Sequence, residues 1–381
     1  MEMLSFASVD AYIKSRTGWP TPNVEFDLDY VAESMEPVTP SGGARIMPSK
    51  TFAEVEGKQF DIILVPGGPG SRPNVISPVV HEFVRKQAPQ AKYVLSVCTG
   101  SWILADAGVL DGKRATSNKA AFRDLVASTS KAIEWVPKAR WVVDGKIWTA
   151  SGVTAGADMG YAFMVEITGD EFATRVKNTV DYTQVDQKMT NMQRFGVLYE
   201  SPIVSGTGRD ITKLISSSVS TGPMELIETA GTKSATGAFM IANPKFPTPE
   251  VKFETEYLAE THDPITPMAG ARVLPKKTFS EVGSKQFDII LIPGGDNTRP
   301  GEPSKALTEF LEAQVPGARA RWVVDGKFWT GSGVTAGQDM GLAFLKALQG
   351  TEFALAAKNV MEFRAVTSAD DDEFADVFHL A

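Results

Sequence analysis

The sequence predicts an α/β fold with a mainly parallel sheet, present twice along the chain with the second copy incomplete. Three observations carry this. Short, almost wholly apolar runs end in glycine-rich turns, one such run leads through a turn bearing the chain's single cysteine into a helix pattern, and two long blocks of sequence recur.

The repeat sets the organisation, because self-similarity at fixed spacing identifies the folding units before any motif is read. Trp141 to Gly160 reads WVVDGKIWTASGVTAGADMG and Trp322 to Gly341 reads WVVDGKFWTGSGVTAGQDMG, identical at 17 of 20 positions with a displacement of 181. Upstream, Lys58 to Gly68 (KQFDIILVPGG) matches Lys285 to Gly295 (KQFDIILIPGG) at a displacement of 227, so the second copy lacks 46 residues between the two blocks. In the first copy that stretch contains AKYVLSVCTGSWILADAGVLDGKRATSNK, including Cys98; the second copy has no counterpart of the cysteine. The second copy begins with RFGVLYESPIV (194–204) and reaches GPMELI (222–227), whereas the first opens at MEML, where that motif is already under way. The expected units are residues 1–190, lacking a first strand and carrying Cys98, residues 191–366, lacking the cysteine segment, and an acidic tail at 367–381. Loss of a central strand and helix from the second unit would leave unpaired strand edges; either a strand at Phe195 to Leu198 completes the first unit across the repeat boundary, or the reading frame misses coding segments.

Taken in order, Phe60 to Val65 (FDIILV) is an apolar run closed by Pro66-Gly67-Gly68, the pattern of a strand buried on both faces. Tyr93 to Val97 is a second such strand, followed by SWILADAGVLDG, whose apolar spacing suits a short helix ended by Gly108 or Gly112. Asp124 to Ile133 reads as a helix, Trp141 to Thr149 as a hairpin turning at Asp144-Gly145, and Ala155 to Thr168 as a helix opened by Thr154. Ligands of open parallel sheets bind beyond the carboxyl ends of the strands, so the loops after Val65 and Val97 should bring Gly67, Gly68 and Cys98 to one crevice.

Composition narrows the partners. The chain of 381 residues is 43% apolar and 22% charged, ordinary for a globular protein, and 46 acidic against 38 basic residues give a net charge of −8. That charge opposes nucleic acid and anionic membrane surfaces, which leaves small molecules or proteins as the expected partners. No apolar run approaches the roughly 20 residues that span a bilayer, and Met1-Glu2-Met3-Leu4 lacks a signal-peptide order, so a cytoplasmic location is expected. One cysteine and three scattered histidines (His81, His262, His379) make no plausible zinc site; neither metal nor cofactor is expected.

Ser96-Val97-Cys98-Thr99-Gly100 has the form of a nucleophile elbow, with small residues two positions either side of a nucleophile between strand and helix. Such a turn exposes the thiol and leaves nearby N–H groups for an oxyanion, and a helix N-terminus favours the thiolate. The competing reading is a packing cysteine at the end of an apolar strand. Gly67-Gly68-Pro69-Gly70 lacks the residues of a phosphate loop. Ser151, Thr154 and Asp158 recur as Ser332, Thr335 and Asp339 in the copy without a nucleophile, which assigns them to capping and helix-start charge rather than to chemistry. The acidic run at 370–373 reads as solvated tail.

FDIILVPGG, VLSVCTGSWILADAGVLDGKRAT and WTASGVTAGADMGYAF together resemble the ThiJ/PfpI family of the class I glutamine amidotransferase-like fold, most closely its isonitrile hydratase-like branch. The resemblance implies a flavodoxin-like three-layer sandwich, a nucleophile at Cys98, backbone oxyanion donors at Gly68 and Thr99, and dimerisation, which tandem copies could reproduce within one chain. Family members line the pocket near Gly67 and at positions corresponding to Ser117 and Asn118, for which a solvated turn is the alternative. Peptidase-like members follow the cysteine with His; Thr99 stands here, so peptidase activity is not expected. The Asp that the hydratase-like branch carries three residues before a Gly-Pro is not expected in either copy: the first copy as given opens at Met1, beyond that position, and Val219 occupies the position before Gly222-Pro223. Glu2, matched by Glu225, is the remaining candidate acid, with a helix-start carboxylate as its structural alternative.

Two functions follow as expectations. One is a cofactor-independent cysteine hydratase or hydrolase acting on a small electrophilic carbon such as an isonitrile or carbonyl compound. The other is a non-catalytic stress- or redox-related binding module, which the missing Asp and incomplete second copy favour.

Overall fold

The computed structural model describes residues 24, 26–40, 45–179 and 182 and, beyond them, 213–214, 257–259, 261–265, 272–278, 322–325, 328–331 and 334–361, with single positions at 238, 240, 242, 246, 247, 281 and 363. Glu2, residues 195–198, the second PGG turn and the acidic tail lie outside the described residues.

In chain order the first part contains the two-residue strands β1 (Val31–Ala32), β2 (Arg45–Ile46) and β3 (Lys50–Thr51), then β4 (Ile62–Val65), a 3₁₀ turn at Pro69–Ser71, α1 (Pro78–Gln87), β5 (Tyr93–Val97) and α2 (Gly100–Asp106). It continues through β6 (Arg114–Ala115), α3 (Phe122–Ser128), β7 (Glu134–Trp135), β8 (Trp141–Asp144), β9 (Ile147–Ala150), α4 (Val153–Thr168) and α5 (Asp170–Thr179). The main sheet has the order β4-β5-β9-β8, with β4, β5 and β9 parallel and β8 antiparallel. This is an α/β fold.

The apolar runs are explained by a sheet with a core on each face. Side chains alternate along a strand: Ile63 and Val65 of β4, Val94 of β5 and Ile147 of β9 join one core with Val84 of α1 and Ile103 and Leu104 of α2. The intervening Leu95 and Trp148, with Ile62 and Leu64 packed beside them, join Met159, Phe163 and Met164 of α4 and Phe172 and Val176 of α5. Every position therefore faces apolar neighbours, and burying a Leu or Phe such as Leu95, Leu104 or Phe163 contributes about 1.5–3 kcal/mol.

Two boundaries differ from the sequence expectation. The helix expected over 124–133 is α3, ending at Ser128, because Thr129 turns extended and its hydroxyl donates to the Leu125 carbonyl at 2.8 Å; Glu134–Trp135 then pairs with β6. The last helix begins at Val153 with Gly152 at its N-cap, so Thr154 lies inside the first turn, where its hydroxyl accepts from Arg140 at 3.2 Å instead of capping the helix.

The later part contains β10 (Lys213–Leu214), β11 (Tyr257–Ala259), β12 (Val273–Leu274), β13 (Lys277–Thr278), β14 (Trp322–Asp325), β15 (Phe328–Gly331) and α6 (Val334–Val360). Its registers parallel those of the first part. Val31↔Lys50 and Ala32↔Thr51 in β1–β3 correspond to Leu258↔Lys277 and Ala259↔Thr278 in β11–β13, all displaced by 227. The β8–β9 hairpin pairs Trp141 with Ala150 and the β14–β15 hairpin pairs Trp322 with Gly331. Gly169 separates α4 from α5 with φ 85°, and Gly350 breaks α6 with φ 78°. Among the described residues no helix is long and apolar enough to cross a membrane.

Candidate functional site

The site is built where β4 and β5, adjacent and parallel, both end. Cys98 follows Val97 directly and is the one non-glycine among the described residues with positive φ, 58°. A left-handed conformation costs an L-residue roughly 1–2 kcal/mol, and one local and two tertiary hydrogen bonds hold it: the Cys98 N–H donates to the Ala150 carbonyl at 3.0 Å, and the Cys98 carbonyl accepts from the hydroxyls of Ser101, three residues on, at 3.2 Å and of Ser117 at 3.1 Å. The thiol-bearing residue is half-buried. The chain then enters α2, anchored by Trp102 N–H donating to the Thr99 carbonyl at 3.0 Å.

Two glycines admit this geometry. A Cβ on Gly100 would lie 2.2 Å from the Val65 carbonyl oxygen, and one on Gly67 would lie 2.5 Å from the Thr99 nitrogen and 2.8 Å from the Cys98 Cβ. The small residues of the two loops are thus required by close backbone approach. The loop after β4 and the turn after β5 touch, bringing Gly67, Gly68, Cys98 and Thr99 together.

Their contact is a compact hydrogen-bonded cluster. The Gly68 N–H donates to the Thr99 hydroxyl at 2.9 Å. The buried Ser71 hydroxyl lies 2.6 Å from both the Thr99 hydroxyl and the Gly68 carbonyl, either of which can accept its proton, and the Ser71 N–H donates to the same carbonyl at 3.0 Å. The resemblance implied Gly68 N–H as an oxyanion donor; in this structure that proton is directed at Thr99. Ser71 carries no sequence signature, being a serine three residues after a glycine pair, and only the approach of the two loops gives it a partner.

Ser117 and Asn118 are buried, which excludes the solvated turn considered for them. Ser117 supports the elbow from behind through the Cys98 carbonyl, while the Asn118 side-chain oxygen accepts from the N–H groups of Ala120 and Ala121 at 3.1 and 3.3 Å and shapes the turn before α3. Lys119 Nζ donates to the Ser117 and Ala139 carbonyls, both at 3.0 Å, and to the Thr116 hydroxyl at 2.7 Å, fixing the same segment.

Next to the elbow strand lies a buried polar group whose role differs from the sequence expectation. Asp158 was expected to be a helix-start charge; it is 1% exposed and accepts from Arg140 Nε at 2.9 Å, from Arg140 Nη2, and from the Tyr182 hydroxyl. Burial, with Asp158 alongside, pushes the Tyr182 phenol far above its ordinary value, so it stays protonated and donates. The Arg140 carbonyl accepts from Ser151 N–H at 2.7 Å, one residue after the carbonyl that holds Cys98, so this cluster fixes the end of β9 against the elbow. Asp339 at the displacement of 181 is also buried, but Phe363 replaces the tyrosine there. Among the described residues no group of three or more His, Cys, Asp or Glu is placed to hold a metal ion.

A strained cysteine on a strand-to-helix turn, at the carboxyl end of a parallel sheet with helices on both faces, defines a class of α/β proteins with a built elbow. Sequence relatives agree with that class. A sequence profile of the DJ-1/PfpI family matches residues 17–166. An isonitrile hydratase of Pseudomonas putida is 39% identical over 162 residues, 42% of this chain and 67% of the relative. A deglycase of Pyrococcus horikoshii is 33% identical over 129 residues, 34% of this chain and 73% of the relative. A glutathione-independent glyoxalase of Caenorhabditis elegans is 36% identical over 81 residues, 21% of this chain, and the match spans 44% of the relative. Among solved structures, a ThiJ/PfpI family protein from Pseudomonas syringae aligns with 30% identity and a TM-score of 0.36, covering 42% of this chain and 64% of that one. The chain belongs to the DJ-1/PfpI family.

Proposed function

We propose that the chain is a cofactor-independent cysteine enzyme acting on a small electrophilic carbon, an isonitrile or a carbonyl compound, with Cys98 as nucleophile. The observation that carries the reading is the backbone of Cys98: a left-handed residue at the strand-to-helix turn, locked by hydrogen bonds to Ala150, Ser101 and Ser117. Such strain persists where surrounding structure over-determines it, and it concentrates at working sites. The similarity to an isonitrile hydratase supports an isonitrile, and the deglycase and glyoxalase relatives support carbonyl compounds.

With an isonitrile, the Cys98 sulfur bonds to the terminal carbon while that carbon takes up the thiol proton, giving a thioimidate. Water then adds across the C=N bond with one of its protons going to nitrogen, the C–S bond breaks with its electron pair returning to sulfur, the remaining hydroxyl proton restores the thiol, and a formamide leaves; one water is consumed. The Thr99 backbone N–H, at the turn itself, and the Thr99 hydroxyl are the groups closest in sequence to the reacting sulfur, and Glu2, outside the described residues, is the remaining candidate acid in place of the Asp that the resemblance implies.

The test is the pH dependence of Cys98 alkylation, read on the chain's single thiol, combined with formamide production from simple isonitriles and consumption of small aldehydes. A thiol titrating clearly below about 8.5, the ordinary value, with turnover abolished in Cys98→Ser, supports the enzyme. An ordinary or raised value without turnover supports the redox or binding module instead.

We also infer that residues 191–366 form a second, incomplete flavodoxin-like copy of the unit in residues 1–190. The support is the coincidence of strand registers at displacements of 227 and 181, and a shared capping box: Thr51 N–H donates to Glu54 at 2.7 Å and Thr278 N–H to Glu281 at 2.6 Å.

A further inference from the structure

The two parts of the chain meet along β2 and β12, and the register there has a property that ordinary strand pairing does not require. The strands are antiparallel, with Ile46 opposite Val273 and Arg45 opposite Leu274. Ile46 and Val273 are displaced by 227, the same shift that relates KQFDIILVPGG to KQFDIILIPGG. Corresponding residues therefore face each other, which is the condition for a two-fold axis passing between them.

The neighbouring contacts obey the same axis. Met47 N–H donates to the Arg272 carbonyl at 2.9 Å, so Ile46 and Val273 form a pair flanked by hydrogen bonds rather than bonded to each other. On the outer side of Ile46, Val38 exchanges two backbone hydrogen bonds with it, both 2.9 Å; on the outer side of Val273, Ile265 does the same at 2.8 and 2.9 Å. Val38 and Ile265 are again displaced by 227. The result is a four-row antiparallel ladder, Val38–Ile46–Val273–Ile265, that reads the same from either end.

From this ladder we propose that the later copy, which has no counterpart of Cys98, serves as a built-in pairing partner for the first copy, joined to it about a local two-fold axis at Ile46 and Val273. This rests on the reading of residues 191–366 as a second copy. The ladder closes the β2 edge from within the same chain, and an edge so covered offers no template to a second molecule. The protein is accordingly a self-paired monomer with one reactive thiol, in which the second unit supplies an interface and no nucleophile.

The test uses the full chain carrying Cys98→Ser together with Ile46→Cys and Val273→Cys, because opposed residues in a pair not bonded to each other have Cβ atoms close enough for a disulfide. With diamide as the oxidant, two thiols are lost, two hydrogens pass to diamide and one disulfide forms. The expected product is an intrachain bond: loss of both free thiols, a mass lower by two hydrogens and monomeric migration without reductant. Interchain dimers would overturn the proposal, and so would retention of both thiols. Light scattering of the unmodified chain over a range of concentrations supplies a second reading independent of the substitutions, with monomer expected and a stable dimer overturning it. Hydrogen exchange on the same preparation separates the two levels of the argument. Protected amides in β14, β15 and α6 without a crosslink would defeat the pairing alone, whereas unprotected amides there would defeat the second copy as well.

Discussion

The hydroxyls of Ser71 and Thr99 lie 2.6 Å apart, and through them the loop after β4 is tied to the turn that carries Cys98. Because Gly68 also donates its N–H to the Thr99 hydroxyl, the orientation of Thr99 depends on both loops at once. Ser71→Ala should cost about 1 kcal/mol, the net worth of a hydrogen bond. A merely structural loss would stop there. A positioning role predicts that the alkylation pKa of Cys98 also rises, and that Ser71→Thr, which keeps the hydroxyl and reproduces Thr298 of the later part, restores it.

The close approach of the loops is tested by three glycines. Gly100→Ala would place a methyl 2.2 Å from a backbone oxygen that cannot move aside without separating β4 from α2, and loss of the cooperative thermal transition is the expected result. Gly67→Ala would press on the Thr99 nitrogen, so the fold should survive with a lower melting temperature while Cys98 alkylation changes. Gly70→Ala meets nothing within 4 Å and should leave both unchanged; equal behaviour of all three would contradict the packing described here.

Asp158 is a buried charge whose partners are Arg140 and Tyr182. Asp158→Asn removes the countercharge of a buried guanidinium and should cost about 3–5 kcal/mol, the range for breaking a buried pair from one side. Tyr182→Phe, which copies Phe363, removes one donor and should cost about 1–3 kcal/mol by leaving a carboxylate oxygen short of a partner. Urea denaturation of the two variants gives the comparison, and the order should be Asn at 158 worse than Phe at 182.

Acid sensitivity has a defined source at Asp29. Burial raises its carboxyl, but hydrogen bonds and charge from Lys58 and Lys50, each 2.9 Å away, outweigh that and hold it below the ordinary aspartate value. A carboxylate depressed in the folded state stabilises the protein above its unfolded pKa, and the contribution disappears as pH falls through the folded value. Asp29→Asn should therefore lower the melting temperature at pH 7, with the gap to the parent protein closing below about pH 4. A gap that stays constant into acid would assign the effect to packing.

Much of the fold could be read from the chain because the information is local or repeated. Alternation into two cores requires near-continuous apolar runs, which is why FDIILV and YVLSV are legible as strands. The hairpin at Asp144-Gly145 follows from its turn residues, Gly145 having φ 61°. The elbow at Cys98 follows from the small neighbours that a sharp turn demands. Helix ends were less legible: Thr129 turns extended and closes α3 onto Leu125, and Gly152 takes the N-cap of α4 with no side-chain cap to mark it in the sequence.

By itself, the sequence determined the α/β class, the repeated blocks, the elbow with its single thiol and the residues on either side of it, because each is a property of a few adjacent side chains. Only the tertiary structure decided that the Gly68 N–H is directed at Thr99, that Ser71 joins them, that Asp158 is half of a buried ion pair, and that Ile46 faces Val273. Apart from the short Ser71–Gly68 bond, these contacts join residues 18 to 227 positions apart, and their partners are chosen by how the sheet brings distant segments together, which no local pattern of residues specifies.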